Sequence, residues 1–254
     1  MKRFLVLILL VAIIASVINY RRNTDVRRAV SRFSSRELES ADALRYRLYV
    51  FGILGVGEAV FYRAEKKEFR GGPVYHLRAV AQSAPELEWF YVASMAIDSF
   101  VDTASGTPLV YREKLRVKGK IEDEKEVVYD QANHTMTIGE ETRQILPDTH
   151  DPLSAIFSLR KMDIPAEPQE IELSINTNQK NYVLQGTVTA RDELINRKAR
   201  PVTLVKASIR RRDKNPYHKS RIQMVLTGGR ENIPVLIKVF AGGFFVSARL
   251  IEVQ

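Results

Sequence analysis

The sequence predicts a mainly β protein built on a single antiparallel sheet, with two short helices and an apolar N-terminal membrane segment in front of it. Three observations predict this. From Ala41 onward, apolar residues recur at every second position in one segment after another, the period of strands with one buried face. Only two stretches carry a convincing helical pattern. No linker as polar as residues 21–40 interrupts residues 41–254, so these form one β domain.

The N-terminal segment comes first. In "MKRFLVLILLVAIIASVINYRR", Lys2 and Arg3 precede an apolar run from Phe4 to Ala15, which Ser16, Val17 and Ile18 extend. A charged start followed by such a run is a secretory signal pattern. At roughly 15 to 17 residues it is shorter than the ~20 of a full membrane span. Ala15 and Ser16 are small enough for cleavage, but Ile13 and Ile14 make a weak site. Residues 1–20 therefore read either as a cleaved signal peptide or as an uncleaved anchor. Both place the chain in the periplasm, and the second attaches it to the inner membrane through residues 4–18. Arg21, Arg22, Arg27 and Arg28 follow. Alone they would favour the cytoplasmic side, but basic residues just outside a membrane also lie against anionic headgroups. Residues 21–40 are polar and read as a linker.

The strands follow. "LRYRLYV" places Leu44, Tyr46, Leu48 and Val50 on one face. "VYHLRAVA" places Tyr75, Leu77, Ala79 and Ala81 together. "LVYREKLRV" gives Leu109, Tyr111, Leu115 and Val117, with Glu113 as the exception. Ile171, Leu173 and Ile175 share a face, as do Tyr182, Leu184, Val188 and Ala190, and then Ile222, Met224 and Leu226. The end reads as a hairpin, "PVLIKVF" and "FFVSARLIEV" joined through Ala241-Gly242-Gly243, because glycine tolerates the positive φ of a tight turn. The total is about ten to twelve strands. Gly52, Gly55 and Gly57 lack phosphate-loop spacing and mark a hairpin or bulge.

Helical pattern is confined to "PELEWFYVA", residues 85–93, and to the stretch after Asp151. "THDPLSAIFSLR" brings His150, Asp151 and Ser154 within five residues, the side-chain types of a nucleophilic triad. Each also has a structural role. Asp is a preferred N-cap, and Pro152 suits the first helical position. Leu153, Ile156 and Phe157 fall on one face, and Arg160 and Lys161 complement the helix dipole in the last turn. A nucleophile needs a sharp turn and a base, and no glycine flanks Ser154. The stretch reads as a capped helix lying on the sheet, and no catalytic residue is assigned.

Charge and composition narrow the function further. The 254 residues carry a net charge of +9. Residues 1–30 hold six basic side chains and one acid, leaving 33 basic against 29 acidic residues beyond them. No element carries the sustained basic face of a nucleic-acid binder. With no cysteine, disulfides, thiolate metal sites and thiol catalysis are excluded. His76, His134, His150 and His218 are scattered without metal-ligand spacing. No cofactor and no metal is expected. "RRRDKNPYHKSR", residues 210–221, reads as a solvated hairpin tip or as a contact for anionic lipid or a polyanion through Arg210, Arg211 and Arg212.

Together "YRLYVFGILGVGEAVF", "VYHLRAVAQS", "DSFVDTASGTPLVYREKL", "VVYD", "DPLSAIFSLR" and "IPVLIKVF" resemble the DUF3108 family of exported bacterial proteins of unknown function. The likeness covers about residues 42–250. Its best marks are Gly57, then Asp98 and Ser99, then Asp151, Ser154 and Arg160. The resemblance implies a curled sheet, an incomplete β-barrel like that of the lipoprotein carriers LolA and LolB, whose helices cover a cavity for acyl chains. Helices 85–93 and 152–161 would then be the lids. On this reading the protein is an envelope protein that binds an apolar or acyl-chain ligand, a lipid or lipoprotein, with Tyr46, Leu48, Trp89, Tyr111, Leu115 and Phe157 as lining and lid. The alternative is an envelope assembly or scaffold protein acting through strand edges or the basic loop.

Overall fold

The computed structural model describes residues 41–87, 92–163, 167–177, 179–195, 198–212, 219–228, 232–241 and 244–254. The expected N-terminal segment and linker lie outside these residues. Among those described, no helix is long and apolar enough to cross a membrane.

Among the described residues fifteen strands form one antiparallel sheet. They are β1 (Ala43–Val50), β2 (Leu54–Tyr62), β3 (Glu65–Phe69), β4 (Gly72–Ser83), β5 (Ala93–Asp102), β6 (Pro108–Val117), β7 (Lys120–Asp130), β8 (Thr135–Ile138), β9 (Glu141–Gln144), β10 (Gln169–Thr177), β11 (Lys180–Ile195), β12 (Lys198–Arg211), β13 (Lys219–Thr227), β14 (Pro234–Ala241) and β15 (Phe244–Val253). The path runs from β10 through β15 to β1, β2 and β4, and on to β9, with β3 paired only to β4. The chain's two halves are joined where β15 pairs with β1, Leu44 opposite Val253 and Val50 opposite Val246.

The sheet curls until its edges approach, but it does not close. β9 and β10 end the path without pairing. The segment before the helix adds one parallel bridge to β10: His150 N donates to Ser174 O at 2.9 Å, and Asn176 N donates to His150 O at 2.8 Å. Asn181 Nδ2 on β11 donates to Gln144 O at the end of β9, at 2.9 Å.

Among the described residues one α-helix, α1 (Pro152–Lys161), packs inside the curl. Leu153 joins Leu77, Ala79 and Val101 of β4 and β5. Ala155 and Leu159, on the helix's other side, join Ile171, Ile175, Leu184 and Met224 of β10, β11 and β13. The helix thus touches two walls that are far apart along the sheet, and so it fills much of the interior that a ligand would need.

The second expected helix, 85–93, is corrected. Only Pro85–Leu87 turns, as a single 3₁₀ turn, and Ala93 already belongs to β5; residues 88–91, Trp89 among them, lie outside the described residues. The reason is competition for the backbone. Lys118 N donates to Val92 O at 2.8 Å, and Ala93 N donates to Ser83 Oγ at 3.0 Å, so at Val92 and Ala93 the sheet claims the backbone. The C-terminal hairpin forms as expected, with Ala241 opposite Phe244.

Candidate functional site

Asp151 is the N-cap of α1 and is fully buried. Pro152 holds it extended, at φ −80° and ψ 169°. Its Oδ1 accepts from Leu153 N at 2.8 Å and from Ser154 N at 2.9 Å, two donors that a helix start leaves unsatisfied. Its Oδ2 accepts from Ser99 Oγ at 2.6 Å. Ser154 Oγ accepts from Asp151 N at 3.0 Å and donates to Asp151 O at 3.1 Å. The Ser154 hydroxyl is therefore committed to the cap and sealed from solvent. His150 is buried beside it with Nδ1 unpartnered.

Burial sets the electrostatics here. Desolvation pushes the Asp151 carboxyl above its ordinary range, and the Ser99 and Ser154 hydrogen bonds oppose that. Desolvation holds His150 below its ordinary value. Tyr129 and Tyr111 are both raised, first by burial. The Asp151 charge adds to both, and Glu113, which accepts from the Tyr111 hydroxyl, adds more to Tyr111.

The neighbouring motif residues divide by strand parity. Ser99 points in to Asp151, whereas Asp98 points out, to His76 Nε2 at 2.7 Å and Arg78 Nη1 at 3.6 Å. Glu113, the apolar stripe's exception, is neutralised by Lys125 Nζ at 2.9 Å. Gly57 permits close strand contact, since a Cβ there would meet Gln82 O at 2.3 Å.

A pocket lies at each end of α1. One, about 390 Å³, lies by its start between Tyr111, Val127, Tyr129, Ile138 and Pro152, with Asp123, Glu124 and Lys125 around it. The other, about 240 Å³, lies by its end. Leu44, Phe61, Tyr75, Phe157 and Ile233 make its apolar wall, and Arg63, Lys66, Arg160 and Lys161 bring four cations to it. The Tyr75 and Phe157 rings sit 5.3 Å apart; Lys66 Nζ stands 5.6 Å over the first and Lys161 Nζ 5.7 Å over the second. Asn232 Nδ2 fixes this end of the helix by donating to the Arg160 and Met162 carbonyls, both at 3.1 Å.

The residues nominated from sequence therefore separate. Phe157 and Arg160 line the second pocket and Tyr111 the first. Tyr46 is packed in the core, its hydroxyl donating to Pro234 O at 2.7 Å. Leu48 and Leu115 are half-buried and line neither pocket. Arg210 and Arg212 are exposed at the end of β12. Arg63 and Lys66 escaped the sequence reading, and Tyr75 entered it only as a residue of an apolar strand face. The run "FYRAEKKEF" shows the charge of Arg63 and Lys66, but nothing local brings it to the end of a helix some ninety residues later. Among the described residues, no His, Asp and Glu cluster could hold a metal ion.

Comparison with known proteins agrees with this architecture. The model of the family DUF3108, a protein of unknown function, matches residues 45–245. No curated protein matches the chain. Among solved structures, the chain is similar to a β-barrel-like protein of domain of unknown function DUF1849 from Brucella abortus. The identity is 15% and the TM-score 0.55, over 84% of this chain and 96% of that one. A DUF1089 family protein from Pseudomonas aeruginosa aligns at 7% identity with a TM-score of 0.35, over 68% and 86% of the two chains. The first likeness extends to fold alone.

Proposed function

We propose, for a chain that belongs to the DUF3108 family, that it binds a single-chain anionic amphiphile in the pocket at the C-terminal end of α1. One observation carries the reading: an apolar wall and four cations share that pocket. The acyl tail lies against Phe61, Tyr75 and Phe157, and the carboxylate or phosphate head meets Arg63, Lys66, Arg160 and Lys161. At about 240 Å³ the pocket is below the ~300–1,000 Å³ of ordinary small-molecule sites. It suits one tail and not a diacyl lipid. The setting is the periplasm, with the chain exported and held at the inner membrane by the Phe4–Ile18 run.

The test is binding of a fluorescent long-chain carboxylate and of its alcohol analogue to residues 41–254, which contain all fifteen described strands. The reading expects the carboxylate to bind more tightly, and Phe157→Asp to abolish uptake without unfolding the domain. Equal binding of acid and alcohol, or uptake untouched by Phe157→Asp, would sink it.

A further inference from the structure

Among the described residues, seven large apolar side chains are conspicuously exposed, and six of them share one rim of the sheet. Three of the six sit on the β1–β2 turn: Phe51 is 49% exposed, Ile53 59% and Leu54 57%. This turn is built, not frayed. Phe51 N donates to Phe245 O at 2.7 Å, Arg249 Nη2 donates to Gly52 O at 2.8 Å, and Ile53 N donates to Val50 O at 3.3 Å. Phe51 holds φ +53°, a region that bulky side chains avoid. The fold thus accepts both strain and exposure to present apolar side chains at a projecting tip.

The pairing register brings cations to the same rim. Phe245 pairs with Phe240, Phe240 with Arg221, and Lys219 with Arg210. Arg210, Arg212 and Arg221 are exposed. The ion pairs among the described residues involve other side chains, so no described carboxylate neutralises these three.

We propose that this rim docks onto an anionic lipid bilayer, with the Phe51–Leu54 turn entering the headgroup region and Arg210, Arg212 and Arg221 resting on lipid phosphates. Apolar tips beside cations that no described carboxylate neutralises match an interface that is apolar below and negatively charged above. The pocket opens at the other end of β1, by Ala43, about 26 Å away at strand rise. Docking and pocket binding therefore stand or fall separately.

Because the chain has no cysteine, single labels report position. The full chain carries an environment-sensitive dye at Ile53→Cys or, on the opposite rim, at Ala104→Cys. Each is reconstituted in vesicles of phosphatidylcholine alone or mixed with phosphatidylglycerol, with a lipid-borne quencher. The Ile53→Cys label is expected to shift to the blue and be quenched on the mixed vesicles, while the Ala104→Cys label is not. Replacing Arg210, Arg212 and Arg221 with glutamine lowers the docked-to-undocked ratio roughly fivefold per cation, and high salt does the same by screening. Equal quenching at both positions would mean that the N-terminal segment merely holds the domain nearby, and it overturns the proposal. So does an Ile53→Cys label that stays in water on mixed vesicles, which would leave the rim to a protein partner, or docking indifferent to lipid charge.

Discussion

The Ser99 hydroxyl donates to the Asp151 carboxylate at 2.6 Å, tying the middle of β5 to the first turn of α1 across 52 residues of sequence, with both side chains fully buried. This bond seats the helix in the curl. Asp151→Ala removes an N-cap, which costs about 1 kcal/mol, and leaves buried donors unpaired, which costs about 1–3 kcal/mol more. Urea unfolding should show a loss of about 3 kcal/mol for Asp151→Ala and about 1–2 kcal/mol for Ser99→Ala. A loss under about 1 kcal/mol for Asp151→Ala would mean that packing alone holds the helix.

His150 gives the fold a pH dependence with a defined sign. Burial holds its folded pKa below the ordinary value, so the unfolded chain takes up the proton first. Stability is then complete above about pH 6.5 and falls as the pH drops through that value toward the folded pKa. Urea midpoints measured above and below this window should fall more on acidification in the native chain than in His150→Asn. Parallel curves would refute the assignment.

Two glycines separate a steric requirement from a tolerated position. A Cβ at Gly57 would strike the Gln82 carbonyl, whereas at Gly72 it meets nothing within 4 Å. Gly57→Ala is expected to cost about 2–3 kcal/mol by overpacking, and Gly72→Ala to stay within about 0.5 kcal/mol of the parent. Thermal melts of the two variants decide the point.

The pocket's cations make a graded prediction. Replacing both Arg63 and Lys66 with glutamine should weaken carboxylate binding by roughly tenfold, about 1.4 kcal/mol, and leave the alcohol analogue unaffected. Titration of both ligands against the double variant checks this; an equal loss for the two ligands would point to a damaged pocket, not a missing charge.

What the sequence by itself determined is local. Alternation at Leu44 and Tyr46, at Leu77 and Ala79, and at Ile171 and Ile175 fixes which face of each strand is buried, because side chains alternate along a strand. The order Asp151-Pro152 sets the start of α1, because N-capping involves neighbours in the chain. At Val92 and Ala93 the "PELEWFYVA" stretch misled because its helical spacing was read without the hydrogen bonds that Ser83, at the end of β4, and Lys118, in the β6–β7 turn, offer. Only the tertiary structure decided that Tyr46 packs into the core, that Phe157 and Arg160 meet Arg63 and Lys66 at a pocket, and that Phe51 and Arg221 share a rim. Each of these depends on strand pairings between residues far apart in the chain, and pairing register is a property of the whole sheet that no local pattern specifies.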